Sequence, residues 1–177
     1  YIQDFFKKGA CYMREIEYDR AKAVQYALRW ALSRNPEYYD YAEIGGDCTA
    51  FASQSVYAGS GVMNYTPTFG WYYRSANDKS PSWSGVDYFY NFMTTNEGTG
   101  PFAEERGLTE LFPGDIIQLG NESGRFYHSL VLTMIGYSQG QRSYYICAHD
   151  NDAYMRNLDT YDFAELRGIH ILGVRKE

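Results

Sequence analysis

The spacing of apolar positions divides this chain into a helical first half and a strand-like second half. Residues 2–14 read as a short helix. Asp19 then caps an amphipathic helix in which Ala21, Val24, Ala27, Leu28, Ala31 and Leu32 follow i, i+3, i+4 spacing. Asn35-Pro36 ends it, and a polar, tyrosine-rich loop leads to Gly45-Gly46. A helix is predicted from Asp47 to about Ala58, stopped by Gly59-Ser60-Gly61. Residues 62–86 show weak periodicity, with a turn at Ser-Pro-Ser-Trp over 80–83. Residues 86–94 predict a helix, and Asn96 to Pro101 a loop. After the turn Pro113-Gly114-Asp115 the period changes to two. Strands are expected at Ile116–Leu119, His128–Ile135, Ser143–His149 and 168–174. N-terminal helices packed on a C-terminal antiparallel β-sheet make an α+β fold. No repeat or long linker interrupts the pattern, so residues 1–177 read as a single domain.

Composition narrows the function. The chain of 177 residues is long enough for one sizeable core, and 45% hydrophobic residues exclude a disordered chain. A net charge of -6 leaves no basic footprint for nucleic acid. No apolar stretch approaches the roughly 18 residues of a membrane span. Aromatic residues make up 18%, with 19 tyrosines, which suits grooves for sugars or peptides and equally a tyrosine-rich core. The chain begins with Tyr1 rather than Met, so it reads as a mature or excised piece, and any signal peptide would lie outside it. Cys11, Cys48 and Cys147 form no disulfide framework; a Cys11–Cys147 bridge stays open, and both read as structural.

The chemistry concentrates at residues 45–54, Gly-Gly-Asp-Cys-Thr-Ala-Phe-Ala-Ser-Gln. Two glycines allow a sharp turn, Asp47 is a candidate N-cap, and Cys48 opens the helix. The free N–H groups and positive dipole end there would stabilise a thiolate, the nucleophilic form of cysteine. Such a nucleophile needs a base and a group that orients the base. His128 begins a strand, and reflecting it through the hairpin near Gly140 lands close to residue 150. His149, Asp150 and Asn151 therefore all stand as candidate orienters. His170, in the apolar run Ile169-His170-Ile171-Leu172, reads as a core or edge histidine. No close pair of Cys or His gives the spacing of a zinc site, so neither metal nor cofactor is expected.

These motifs, in this order, carry a family resemblance. Asp47-Cys48-Thr49-Ala50-Phe51, Pro113-Gly114-Asp115-Ile116-Ile117 and His128-Ser129-Leu130-Val131 resemble the cysteine, Gly-Asp and histidine motifs of NlpC-type cell-wall peptidases, which are papain-like hydrolases. Tyr-Asp-Arg-x-x-Ala-Val at 18–24, the Gly-Gly-Asp-Cys run, the Trp-x-Tyr patches and Ala-His-x-Asn-Asp resemble the putative amidase domain family of bacteria, over residues 18 to about 173. One position departs: Ala50 stands where that family is expected to carry Asn.

The resemblance implies a papain-like fold and a Cys–His–polar triad: Cys48 as nucleophile, His128 as base, and His149 as the third member, with Asp150 and Asn151 as alternatives. The Cys48 backbone N–H would serve the oxyanion. The second donor is left open, since Gln118 lies in a later strand and Gln54 on another side of the helix. Trp71, Tyr72 and Trp83 are candidates for a groove wall. The implied substrate is a peptide or peptidoglycan-like amide. The implied location is extracellular or cell-wall associated in a Gram-positive bacterium. Two other functions fit the same motifs: a non-catalytic module that binds cell-wall peptide, and an acyltransferase using the same cysteine. No feature of the sequence bears on oligomeric state.

Overall fold

The computed structural model describes residues 13–177. The helix expected over 2–14 falls almost wholly outside that range. Where it would end, Arg14–Ile16 (β1) is extended and pairs antiparallel with the last strand.

Asp19 caps α1 (Arg20–Trp30), its carboxylate accepting from the Lys22 N–H at 3.0 Å. The buried stripe of this helix is Ala23, Ala27 and Ala31 rather than the expected set, and Leu32 is exposed. Alanines at i, i+4 present a low ridge that lets α1 lie close on the next helix. That helix, α2 (Cys48–Ser60), ends where Gly61 turns left-handed at φ 62° and donates to the Tyr57 carbonyl. Every residue from Cys48 to Val56 is buried, so α2 is the central rod of the molecule. A small hairpin, β2 (Tyr73–Ser75) with β3 (Asp78–Lys79), a single turn α3 (Pro81–Ser84) and α4 (Val86–Thr95) complete the helical layer.

The remaining strands are β4 (Gly100–Arg106), β5 (Ile116–Gly120), β6 (Phe126–Ser138), β7 (Gln141–Ala148), β8 (Ala153–Asn157) and β9 (Glu165–Lys176). With β1 they form one antiparallel sheet in the order β1-β9-β5-β6-β7-β8, and β4 also pairs with β9. The fold is α+β with an antiparallel sheet. Residues 100 and 101 were expected in a loop but open β4. Pro101 is tolerated because β4 pairs on one side only.

Both faces of the sheet are covered. Ile116, Val131, Cys147, Ile169 and Ile171 join Phe51, Trp71, Trp83, Phe89 and Met93 in the core under the helices. Ile117, Leu119, Leu130, Leu132 and Ile146 pack on the other face with Leu111, Tyr144 and Leu158. Alternation along β5 and β6 splits neighbours between these two cores, which pins the register at the start of β6 where His128 and Ser129 lie.

Candidate active site

Gly45 and Gly46, at φ 96° and 104°, turn the chain sharply into α2. The buried Asp47 does not cap the helix with its side chain. Its carboxylate instead points inward, accepting from the Tyr41 N–H at 3.0 Å and meeting Nδ1 of His149 at 2.5 Å. The other ring nitrogen of His149 lies 2.9 Å from the Trp30 carbonyl, and the ring stacks on Phe51 at 4.0 Å. Both nitrogens thus face acceptors beneath the helix. This corrects the expectation that His149 orients His128: it holds Asp47 instead.

Asp150 takes the capping role that Asp47 leaves open. Its carboxylate accepts from the Asp47 N–H at 2.8 Å to each oxygen and from the Cys48 N–H at 3.0 Å. Gly46 makes the approach possible, because a Cβ there would sit 2.6 Å from the Asp150 carboxylate. Asp150 and the exposed Asn151 are both left-handed, at φ 60° and 76°, a conformation that Asp and Asn adopt more readily than other side chains.

Cys48 is buried, 6% exposed, with Sγ 3.9 Å from Thr49 Oγ1. Burial, with the Asp150 charge adding to it, pushes the thiol up to about 11 against the pull of the Ser129 amide. The expectation of a thiolate stabilised at the helix N-terminus is therefore corrected: the amides that would favour it already hold a carboxylate.

His128 packs between Tyr127 and Tyr161, ring centroids 6.5 and 6.0 Å away. Burial lowers its pKa; Asp150 opposes that and Arg156 adds to it. The resting pair is thus a neutral thiol and a neutral imidazole. Among the described residues no hydrogen bond joins Cys48 to His128. What they share is Asp150, whose charge acts on both.

A buried polar chain fixes the first turn of α2 on the sheet. Thr49 Oγ1 and Ser129 Oγ are 2.8 Å apart, Gln118 Nε2 donates to Ser129 Oγ at 3.1 Å and to the Val86 carbonyl at 2.9 Å, and Arg167 Nε donates to Gln118 Oε1 at 2.8 Å. Gln54 accepts from Tyr26 at 2.8 Å. Gln118, weighed as an oxyanion donor, is therefore committed elsewhere, while Gln54 turns its Oε1 to Tyr26. The sequence motifs contain Thr49, Ser129 and Gly46 but do not show what they do, because each works only through a partner distant along the chain. Among the described residues no three His, Cys, Asp or Glu side chains converge as a metal site.

The groove assignment is also corrected. Trp71 and Trp83 are fully buried and pack on each other at 5.2 Å, with Phe92 stacked on Trp71. Trp71 Nε1 donates to Ser53 Oγ on α2 at 2.9 Å. Tyr72 is half-buried against Tyr65, with Arg74 beside its ring. Large aromatic surface is buried wherever elements can cover it, and here the hairpin and α4 cover it. Trp71→Phe should therefore lower stability by about 1–2 kcal/mol, the cost of leaving a buried hydroxyl unpaired, measured by denaturant unfolding, with substrate affinity unchanged. A cavity of about 990 Å3 lies at the far end of α2 among Tyr18, Arg20, Gly61 and His170.

The domain is α+β, with a buried helix that begins at Cys48 and packs against the strand that carries His128. The chain belongs to the family described as "Putative amidase domain", whose model matches residues 17–172. That description points to hydrolysis of C–N bonds. A relative, the uncharacterized protein YhbB of Bacillus subtilis (strain 168), is 31% identical over 122 residues, which cover 67% of this chain and 38% of that protein. This chain thus spans well under half of that relative's length. No solved structure matches the chain.

Proposed function

We propose that this protein is a cysteine-dependent amidase or peptidase of papain-like type, acting on peptide amides of the kind found in cell walls. The observation that carries the reading is the placement of Cys48: first residue of α2, its N–H on Asp150, and its neighbour Thr49 bonded to Ser129, which follows His128 in β6. The motif order of NlpC-type cell-wall peptidases supports the substrate class.

In this mechanism the substrate's arrival brings His128 to the thiol, and the imidazole takes the Cys48 proton as sulfur attacks the amide carbonyl. The tetrahedral oxyanion is met by the Cys48 N–H. His128 gives its proton to the leaving nitrogen as the C–N bond breaks, which leaves a thioester. Water then attacks, His128 accepts its proton, and the C–S bond breaks to release the acid and restore the thiol. Asp150 is the third member this reading favours over His149 and Asn151, because its charge stabilises the imidazolium formed in both half-reactions.

The pH dependence follows from the sign of the His128 shift. Its pKa lies below 6.5, so the base form survives further into acid than for an ordinary histidine. The acid limb of kcat/KM should therefore fall below pH 6.5. It should move lower still in Asp150→Asn, which removes a charge that raises the pKa. A limb above the ordinary histidine range would count against His128 as the base.

A second reading, a module that binds peptide without cleaving it, draws on the closed state of Cys48 and its occupied amide. The two separate on cell-wall peptides incubated with wild type and His128→Ala. Mass spectrometry should find new amine and acid termini with wild type only. Binding without cleavage in both proteins would replace the enzyme reading.

A further inference from the structure

We infer that Asp150 is a displaceable plug: seated on the Asp47 and Cys48 amides it keeps the resting site shut, and it must leave before an acyl oxygen can enter. That the shut site is catalytic rests on the proposed role of Cys48; that Asp150 occupies the Asp47 and Cys48 amides does not.

A carboxylate oxygen sharing two backbone N–H groups imitates the charge and reach of an oxyanion. The second oxygen-binding donor beside Cys48 N–H is then the Asp47 N–H, 2.8 Å from the carboxylate. Gln118 Nε2 is already spent on Ser129 and the Val86 carbonyl, so a substrate carbonyl entering beside Cys48 competes with Asp150 for these same two amides. The seat is shaped for the carboxylate, since the missing Cβ of Gly46 is the space it fills.

The segment that carries Asp150 has the means to move. It joins β7 to β8 over residues 149–152 and begins at His149, anchored under α2. It ends at Asp152, clamped by two Arg34 bonds of 2.9 Å. Between the anchors stand two consecutive left-handed side-chain-bearing residues, a conformation held by the contacts it makes. Even on the amides, the Asp150 charge bears on His128. Asp150 is thus a positioning residue with two places to be: on the amides at rest, and toward the imidazolium when substrate is bound.

The test compares intact wild type with Asp150→Ala and the near-isosteric Asp150→Asn. Iodoacetamide labelling is followed against pH, the adduct is located by mass spectrometry, and thiolate absorbance and circular dichroism are recorded in parallel. Wild-type Cys48 should label slowly until the pH approaches its midpoint of about 11. In the variants the midpoint should fall by about one unit or more, with labelling near pH 8 about tenfold faster. Should Asp150→Ala fail to fold, Asp150→Asn decides. Asp152→Ala, which loosens the segment and leaves the site residues intact, should give a smaller gain of the same sign. An unchanged midpoint and rate in folded Asp150→Asn would overturn the plug. Faster labelling in variants of a protein that cleaves no amide would leave the plug standing and remove the amidase reading.

Discussion

Cys48→Ala should lower amide hydrolysis by about 10⁶-fold, the loss expected when a covalent nucleophile is removed from a site that works as a unit. Sulfur is the only protein atom in this mechanism that forms a bond to the acyl carbon, so no neighbour substitutes for it. Thr49 is the nearest hydroxyl, but Oγ1 is committed to Ser129 and fully buried. His128→Ala should lose a similar factor, because a thiol pushed up to about 11 is almost wholly protonated at neutral pH and depends on an external base. The double variant should lose little more than either alone. Folding should survive, since removing one buried atom group costs on the order of 1 kcal/mol. The measurement is turnover of the same cell-wall peptides, with thermal unfolding as the control. Retention of more than about a tenth of wild-type activity in folded Cys48→Ala would remove cysteine from the mechanism.

Asp115→Ala should produce the largest loss of stability, about 3 kcal/mol or more. The carboxylate is fully buried and accepts from Arg20 at 2.7 Å, from the Ile171 N–H at 3.0 Å and from the Phe112 N–H at 2.8 Å, while His170 Nδ1 lies 2.7 Å away. Deleting it leaves an arginine, a histidine and two backbone donors without their acceptor. The Arg20 side chain is 30% exposed, so water recovers part of its share and the loss falls toward the low end of the range for buried pairs. For a domain of this size the midpoint of thermal unfolding should drop by about 10 °C. Asp115→Asn keeps the shape and should lose roughly half as much. A midpoint within about 2 °C of wild type for Asp115→Ala would show that this junction of α1, β5 and β9 contributes nothing net. Asp115 sits in the Pro-Gly-Asp turn that the motif order singled out, and His170, read from the sequence as a core or edge histidine, is buried there as its partner.

Local signals in the chain were enough to locate Cys48, the helices α1, α2 and α4, and the strands β5 to β7. Glycine pairs, caps and apolar periods are short-range properties, and each is written within about a dozen residues. The same signals placed His128 at the start of a strand and put residues 149–151 opposite it across a hairpin. Choosing among those three residues was beyond them, because neighbours at a strand end point in different directions and a single step of register exchanges them. Tertiary packing sent His149 under α2 to Asp47 and set Asp150 on the helix amides, leaving Asn151 exposed. It also decided that Trp71 and Trp83 are core, since an aromatic residue is buried or exposed by what lies over it. Above all it decided the charge state of Cys48. The helix dipole is local and favours a thiolate; burial and a carboxylate from a hundred residues away are not local, and together they outweigh it.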